Sequence, residues 1–87
     1  MATWRYVVSR SRDEDNGELA WEIRELYPSE DGTFSYTADA VSPIGESLDE
    51  LLCDLDHMRS DADLDILDLT VDPPRLIPRS DLTEQAP

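Results

Sequence analysis

Three early stretches of the chain alternate apolar and polar residues with a period of two. Between Thr3 and Arg10, Trp4, Tyr6 and Val8 fall on one side and Arg5, Val7 and Ser9 on the other. That is the pattern of a strand with one apolar face. A polar loop from Arg10 to Glu18 follows, in which Asn16-Gly17 supplies the positive φ of a tight reversal. From Leu19 to Tyr27 the alternation returns, with Leu19, Trp21, Ile23 and Tyr27 in phase. Asp31-Gly32 then marks a second turn, and Thr33 to Ala40 reads as a third strand with Phe34, Tyr36 and Ala38 inward. Two short connections make these strands an antiparallel meander.

The period changes after Val41-Ser42-Pro43-Ile44-Gly45. Ser47-Leu48-Asp49-Glu50 is a capping box, with the Ser47 hydroxyl on a first-turn N–H and Glu50 reaching back to the N-cap N–H. Leu48, Leu51, Leu52, Leu55 and Met58 form one stripe at helical spacing, which is expected to cover the sheet. Asp61 to Asp72 carries two phases, Leu64 and Ile66 against Leu67, Leu69 and Val71. A bulged fourth strand near 64 to 71 and a helical extension both account for that slip. Pro73-Pro74 ends regular structure, and 73–87 reads as a flexible Pro-rich tail behind a single domain spanning 1–72. The fold expected is α+β: a three-stranded antiparallel meander with one helix on a face, β-β-β-α, and a fourth strand after it. Its expected core is Trp4, Tyr6, Val8, Leu19, Trp21, Ile23, Phe34, Tyr36, Leu48, Leu51, Leu52, Leu55 and Met58.

Composition narrows the function classes. The 87 residues hold 21 acids and 7 basic residues, all Arg, for a net charge of -14. Leu, Ile, Val and Phe make up roughly 23% of the chain, just above the ~20% below which such charge implies disorder. A basic nucleic-acid surface is excluded, so no direct nucleic-acid binding is expected. No apolar run approaches a membrane span and no secretory leader pattern opens the chain, so a cytoplasmic location is expected. The single cysteine allows neither an internal disulfide nor a multi-cysteine zinc site.

Catalytic chemistry finds little to work with. Cys53 and His57 are helical neighbours four apart, on what is expected to be the solvent face, with no oxyanion hole or cleft signalled beside them. Glu25 falls in phase with Trp21 and Ile23, so it is expected to be paired, with Arg5 or Arg10 as candidates, or protonated, or placed at the sheet's end. Asp61-x-Asp63-x-Asp65 has the opening spacing of a calcium loop, but Ile66 replaces the turn glycine and Pro73-Pro74 the exiting helix. No catalytic residue, cofactor or metal site is assigned, and the chain is read as non-enzymatic.

The acids carry the remaining signal. Glu50, Asp54 and Asp56 lie on the helix with no basic residue at helical spacing to balance Glu50 and Asp54, and Asp61, Asp63 and Asp65 extend the negative surface. Like charges one turn apart repel, and late acids oppose the helix dipole. These six residues are the candidate partner-binding set, and a basic protein is the expected partner. Two alternatives stand beside it: a phosphate-mimicking inhibitor of a nucleic-acid-acting protein, and an acidic surface set only by genome composition or high salt. In the tail, Arg75-Leu76-Ile77-Pro78-Arg79 can fold back on the acidic body or dock in a partner's groove. An edge strand, the first or the third, can pair two copies into a homodimer.

Trp4-Arg5-Tyr6, Ile23-Arg24-Glu25-Leu26-Tyr27 and Pro43-Ile44-Gly45-Glu46-Ser47 resemble a set of short uncharacterised bacterial proteins over about residues 3 to 60, without an assigned activity. More distantly, three strands followed by Gly45-Glu46-Ser47-Leu48-Asp49-Glu50 opening a helix resemble the N-terminal domain of HicB-type antitoxins. That resemblance implies a β-β-β-α-β, partial RNase H-like fold and a small basic RNase toxin as partner. The Pro-x-Leu-x-Gly-Cys stretch and the C-terminal DNA-binding module of that family have no counterpart here.

Overall fold

The computed structural model of the protein describes residues 3–85. Its elements are β1 (Arg5–Arg12), β2 (Leu19–Pro28), β3 (Phe34–Tyr36), α1 (Leu48–Asp61), β4 (Ile66–Asp68) and β5 (Arg75–Ile77), then a 3-10 helix over Arg79–Gln85. The fold is α+β, one helix with a curled mixed sheet of five strands in the order β3-β2-β1-β4-β5. The meander is there: β1 pairs antiparallel with β2 from Arg5↔Leu26 to Arg12↔Leu19, and β2 with β3 from Leu26↔Tyr36 to Pro28↔Phe34. Gly17 and Gly32 take φ of 74° and 89° in the two turns, the left-handed region their dipeptides foreshadow.

The second half of the sheet departs from expectation. β4 covers only Ile66–Asp68, and it runs parallel to β1 through Ser9↔Leu67 and Arg10↔Asp68, with α1 in the connection that parallel pairing requires. Its apparent phase slip is no bulge: Ile66, Leu67 and Asp68 are all buried because both faces of the strand are covered. The stretch read as part of a tail supplies β5, which pairs antiparallel with β4 from Ile66↔Ile77 to Asp68↔Arg75. β1 therefore lies in the middle of the sheet and is not an edge. The edges are β3 and β5, three residues each, and Pro74 and Pro78 flank β5, which leaves a second copy little free backbone to pair with.

The core also sits elsewhere than the alternation suggests. Val7, Leu26 and Leu67 form the fully buried centre, with Phe34 and Tyr36 from β3, Leu69 after β4 and Leu76 from β5 packed against it. All but Leu69 come from strands of the sheet, whose two edges curl over the face opposite Trp4 and Tyr6. Phe34 and Tyr36 stand on that face, since Tyr36 opposes Leu26, and so cannot share a core with Trp21. Of the expected core, Trp4, Leu19, Trp21, Leu48, Leu52 and Leu55 are exposed; Tyr6 and Met58 are buried. The buried side chains of Ser9, Arg24 and Asp68 are all hydrogen-bonded. Asp68 pairs with Arg10 at 3.0 Å and accepts from the Thr70 N–H and hydroxyl, while Arg24 donates to Ser9 Oγ and to the carbonyls of Thr37 and Ala38.

The segment before α1 is pressed against it. A Cβ on Gly45 would lie 2.4 Å from the Leu51 backbone N and 2.7 Å from the Glu50 carbonyl carbon, so only glycine fits there. Ser47 Oγ accepts from Glu50 N–H, completing half the capping box, and Glu50 reaches one residue past the N-cap to accept from Glu46 N–H.

Two stability predictions follow from this placement. Leu67→Ala should cost about 2–5 kcal/mol in urea denaturation, and Trp21→Ala, at a half-exposed site, distinctly less. Gly45→Ala should lower the midpoint more than Gly17→Ala, because its clash is with backbone that cannot rotate away.

Candidate partner-binding surface

The helix docks on β1 through polar atoms. Asp54 and Asp61, seven residues apart, fall within about 20° of each other on the helix. Both reach Tyr6. Its phenolic O–H donates to Asp54 Oδ1 at 2.5 Å, and its backbone N–H donates to Asp61 Oδ2 at 2.9 Å. That N–H lies beyond the short span where β4 pairs with β1, and the Asp61 carboxylate takes the place of a strand partner. Asp54 Oδ2 accepts in turn from Ile44 N–H at 2.9 Å, which holds the lead-in segment to the helix.

Aromatic contacts complete the joint. The Tyr6 ring meets Trp4 edge-on at 5.1 Å and His57 at 4.9 Å, with Trp4 and His57 at 5.5 Å. His57 Nε2 is 3.1 Å from Asp61 Oδ2, turned to the acid rather than to Cys53. Cys53 and His57 are both exposed, as expected, and share a shallow concavity with Tyr6, Ile44, Asp49, Glu50 and Asp54, while one side of the His57 ring meets Tyr6. Glu25 accepts from the Tyr27 hydroxyl, two residues along the same face, in place of the expected Arg5 or Arg10. Arg5 donates instead to the Asp65 carbonyl and Arg10 to Asp68.

This joint divides the six candidate acids. Asp54 and Asp61 hold the fold. Asp63 pairs with Arg59 at 2.8 Å and lies 3.8 Å from Arg79. Glu50 caps the segment ahead of the helix but stays exposed. Asp56 and Asp65 are exposed, and their carboxylates have no hydrogen-bond or ion-pair partner among the described residues. Asp54 and Asp61 therefore steady the helix they were expected to weaken. Asp61, Asp63 and Asp65 do not converge, and no group of three His, Cys, Asp or Glu among the described residues is placed to hold a metal ion.

The same joint leaves an apolar strip open. Leu51, Met58 and Ala62 lie on the docked side, while Leu48, Leu52 and Leu55 stand at 69%, 47% and 41% exposure. Asp49 and Asp56 follow the strip along one flank, and Arg59 lies at its far end. No helix among the described residues is long and apolar enough to cross a membrane. Compared with family models, curated proteins and solved structures, the chain matches none. Sequence reasoning missed Tyr6 as the hub. The available signal was the Asp54–Asp61 pair, two acids at i,i+7 bordering the Met58 side of the stripe.

Electrostatics set the pH limits of the joint. Burial first, then its bond to Asp54, raises the Tyr6 hydroxyl to about 12. The Tyr6 O–H, then the Ile44 N–H, holds the Asp54 carboxyl below the usual carboxylate range, and Arg10 holds Asp68 far below it. A raised folded value contributes stability that is full below the unfolded value of ~10 and lost as pH climbs toward the folded one. A lowered carboxyl contributes above ~4 and loses its share as pH falls through its folded value. Tyr6→Phe should cost about 1–2 kcal/mol at neutral pH. It should also shrink the alkaline loss of stability between pH ~10 and ~12 without erasing it, because the bond to Glu25 raises Tyr27 too. Denaturant midpoints measured across that range check both effects.

Proposed function

We propose that the protein is a non-enzymatic acidic interaction protein, a small regulator that binds a basic protein partner. The observation that carries this reading is the side of α1 left open by the Tyr6 joint. There Leu48, Leu52 and Leu55 are exposed beside Asp49 and Asp56 on a chain of net charge -14. An apolar strip beside unpaired carboxylates suits a protein surface that is both apolar and basic. It suits a pure phosphate mimic less, because a nucleic-acid backbone offers no such strip. Asp56 and Asp65, with Glu50, are the members of the candidate set left to meet a partner's cations; Asp54 and Asp61 are engaged with Tyr6, and Asp63 with Arg59. The element order through β4 is β-β-β-α-β, the order that the resemblance to the HicB-type N-terminal domain implies, and the small basic toxin bound by that family is the kind of partner proposed here. A cytoplasmic location goes with this reading.

Asp56→Asn/Asp65→Asn removes two charges that the fold does not use. Capture of basic proteins from an extract of the source organism should fall with this variant. The capture that remains should depend less on salt, since fewer screened contacts survive. Equal capture of the same proteins by both forms at low and high salt would reduce the acids to a solvated surface and overturn the reading.

A further inference from the structure

The open strip on α1 has a definite length and polarity. Leu48, Leu52 and Leu55 occupy two helical turns, the i, i+4, i+7 spacing by which one helix seats against another. Leu48 and Leu52 are among the most exposed large apolar side chains of the molecule, and Arg59, paired with Asp63 at 2.8 Å, closes the strip after Leu55. The flanks differ. On one, Asp49 and Asp56 stand seven residues apart, about 10 Å along the axis, and neither has an internal partner among the described residues. On the other, Leu51 and Ala62 descend to the docked side and present no charge. Beyond the acidic flank lies the shallow concavity around Cys53, with Asp49, Glu50 and Asp54 in its walls.

We propose that this strip is the seat of an amphipathic helix of the partner that is basic along one flank, with apolar residues on Leu48, Leu52 and Leu55 and cationic side chains two turns apart meeting Asp49 and Asp56. The inference rests on the basic-partner reading and specifies its docking element. Charge decides between this occupant and a second copy. Two α1 strips placed face to face would bring together acidic flanks of chains that each carry -14, whereas an arginine-flanked helix neutralises Asp49 and Asp56 as its leucines cover the strip. A long cationic side chain at the acidic flank also reaches the concavity, where its methylenes lie on Cys53 and its charge stays near Glu50.

The test uses the full chain and three synthetic 14-residue peptides, read by fluorescence anisotropy. One is a helix with leucines on one face and arginines on one flank. The second has the same composition scrambled so that no apolar face forms, and the third carries glutamates in place of the arginines. The Leu/Arg helix should bind at least tenfold tighter than its scramble, and the Leu/Glu helix should not bind. Leu52→Ser, at an exposed site the fold does not need, should lower affinity for the Leu/Arg helix about tenfold and leave the weak binding of the scramble unchanged. Equal binding of helix and scramble, indifferent to Leu52→Ser, overturns the helix seat and leaves the basic-partner reading in place. No binding of either cationic peptide counts against both. Sedimentation of the free protein supplies the remaining arm: a dimer that Leu52→Ser converts to monomer makes a second copy the occupant and overturns the proposal.

Discussion

Tyr6 joins the two layers through its backbone N–H, its hydroxyl and its ring. Asp61 takes the first, Asp54 the second, and Trp4 and His57 close on the third. An α-helix laid on a sheet ordinarily turns its most apolar side inward, because burying leucine is worth more than any single hydrogen bond. Here the helix is held by two carboxylates bonded to fixed donors of β1 and of the lead-in segment. Directional bonds of that kind set rotation about the helix axis, whereas apolar contact tolerates a range of angles. Asp54 and Asp61 share one line of the helix with Met58 close by, so satisfying them puts Met58 and Leu51 underneath and turns Leu48, Leu52 and Leu55 out.

That geometry explains how so acidic a small domain holds together. The apolar centre around Val7, Leu26 and Leu67 is built by the sheet curling on itself and does not need the helix leucines. Arginine is spent where it binds several groups at once: Arg24 ties β2 to the segment after β3, and Arg10 meets the buried Asp68 across β1 and β4. Most carboxylates are left to solvent, which favours solubility and steers cations, at the cost of self-repulsion. The exposed leucines are then the surplus of a fold completed elsewhere, and it is this surface, beside unpaired acids, that the proposed basic partner would cover.

Much of the first half was legible in sequence. Period-two alternation located β1 and β2, Asn16-Gly17 and Asp31-Gly32 located the turns, and Ser47 located the start of α1. What escaped was parity and partnership. Alternation names two faces without saying which is buried, and β1, central and covered on both sides, buries Val7 and Ser9 as well as Tyr6. β4 and β5 are three residues each and exist only because they pair, so local pattern carried no trace of their order. In the sequence the acids show only their charge, whereas Asp54 and Asp61 act as hydrogen-bond acceptors, a role visible only once Tyr6 stands opposite them. The Pro43-Ile44-Gly45-Glu46-Ser47 run was legible as a motif, but its reason is steric: the chain at Gly45 lies on the backbone of the first turn.

Whether the helix is rotated by its acids or seated by its leucines can be read from proton–proton contacts in solution. A nuclear Overhauser experiment on the wild-type chain, with methyl groups and aromatic rings assigned, compares the two arrangements directly. The account predicts cross-peaks from the His57 imidazole to the rings of Tyr6 and Trp4, and none from the Leu52 methyls to β1. Cross-peaks from the Leu48, Leu52 and Leu55 methyls to Tyr6 and Val8, with the His57 ring silent toward the strand, would contradict it.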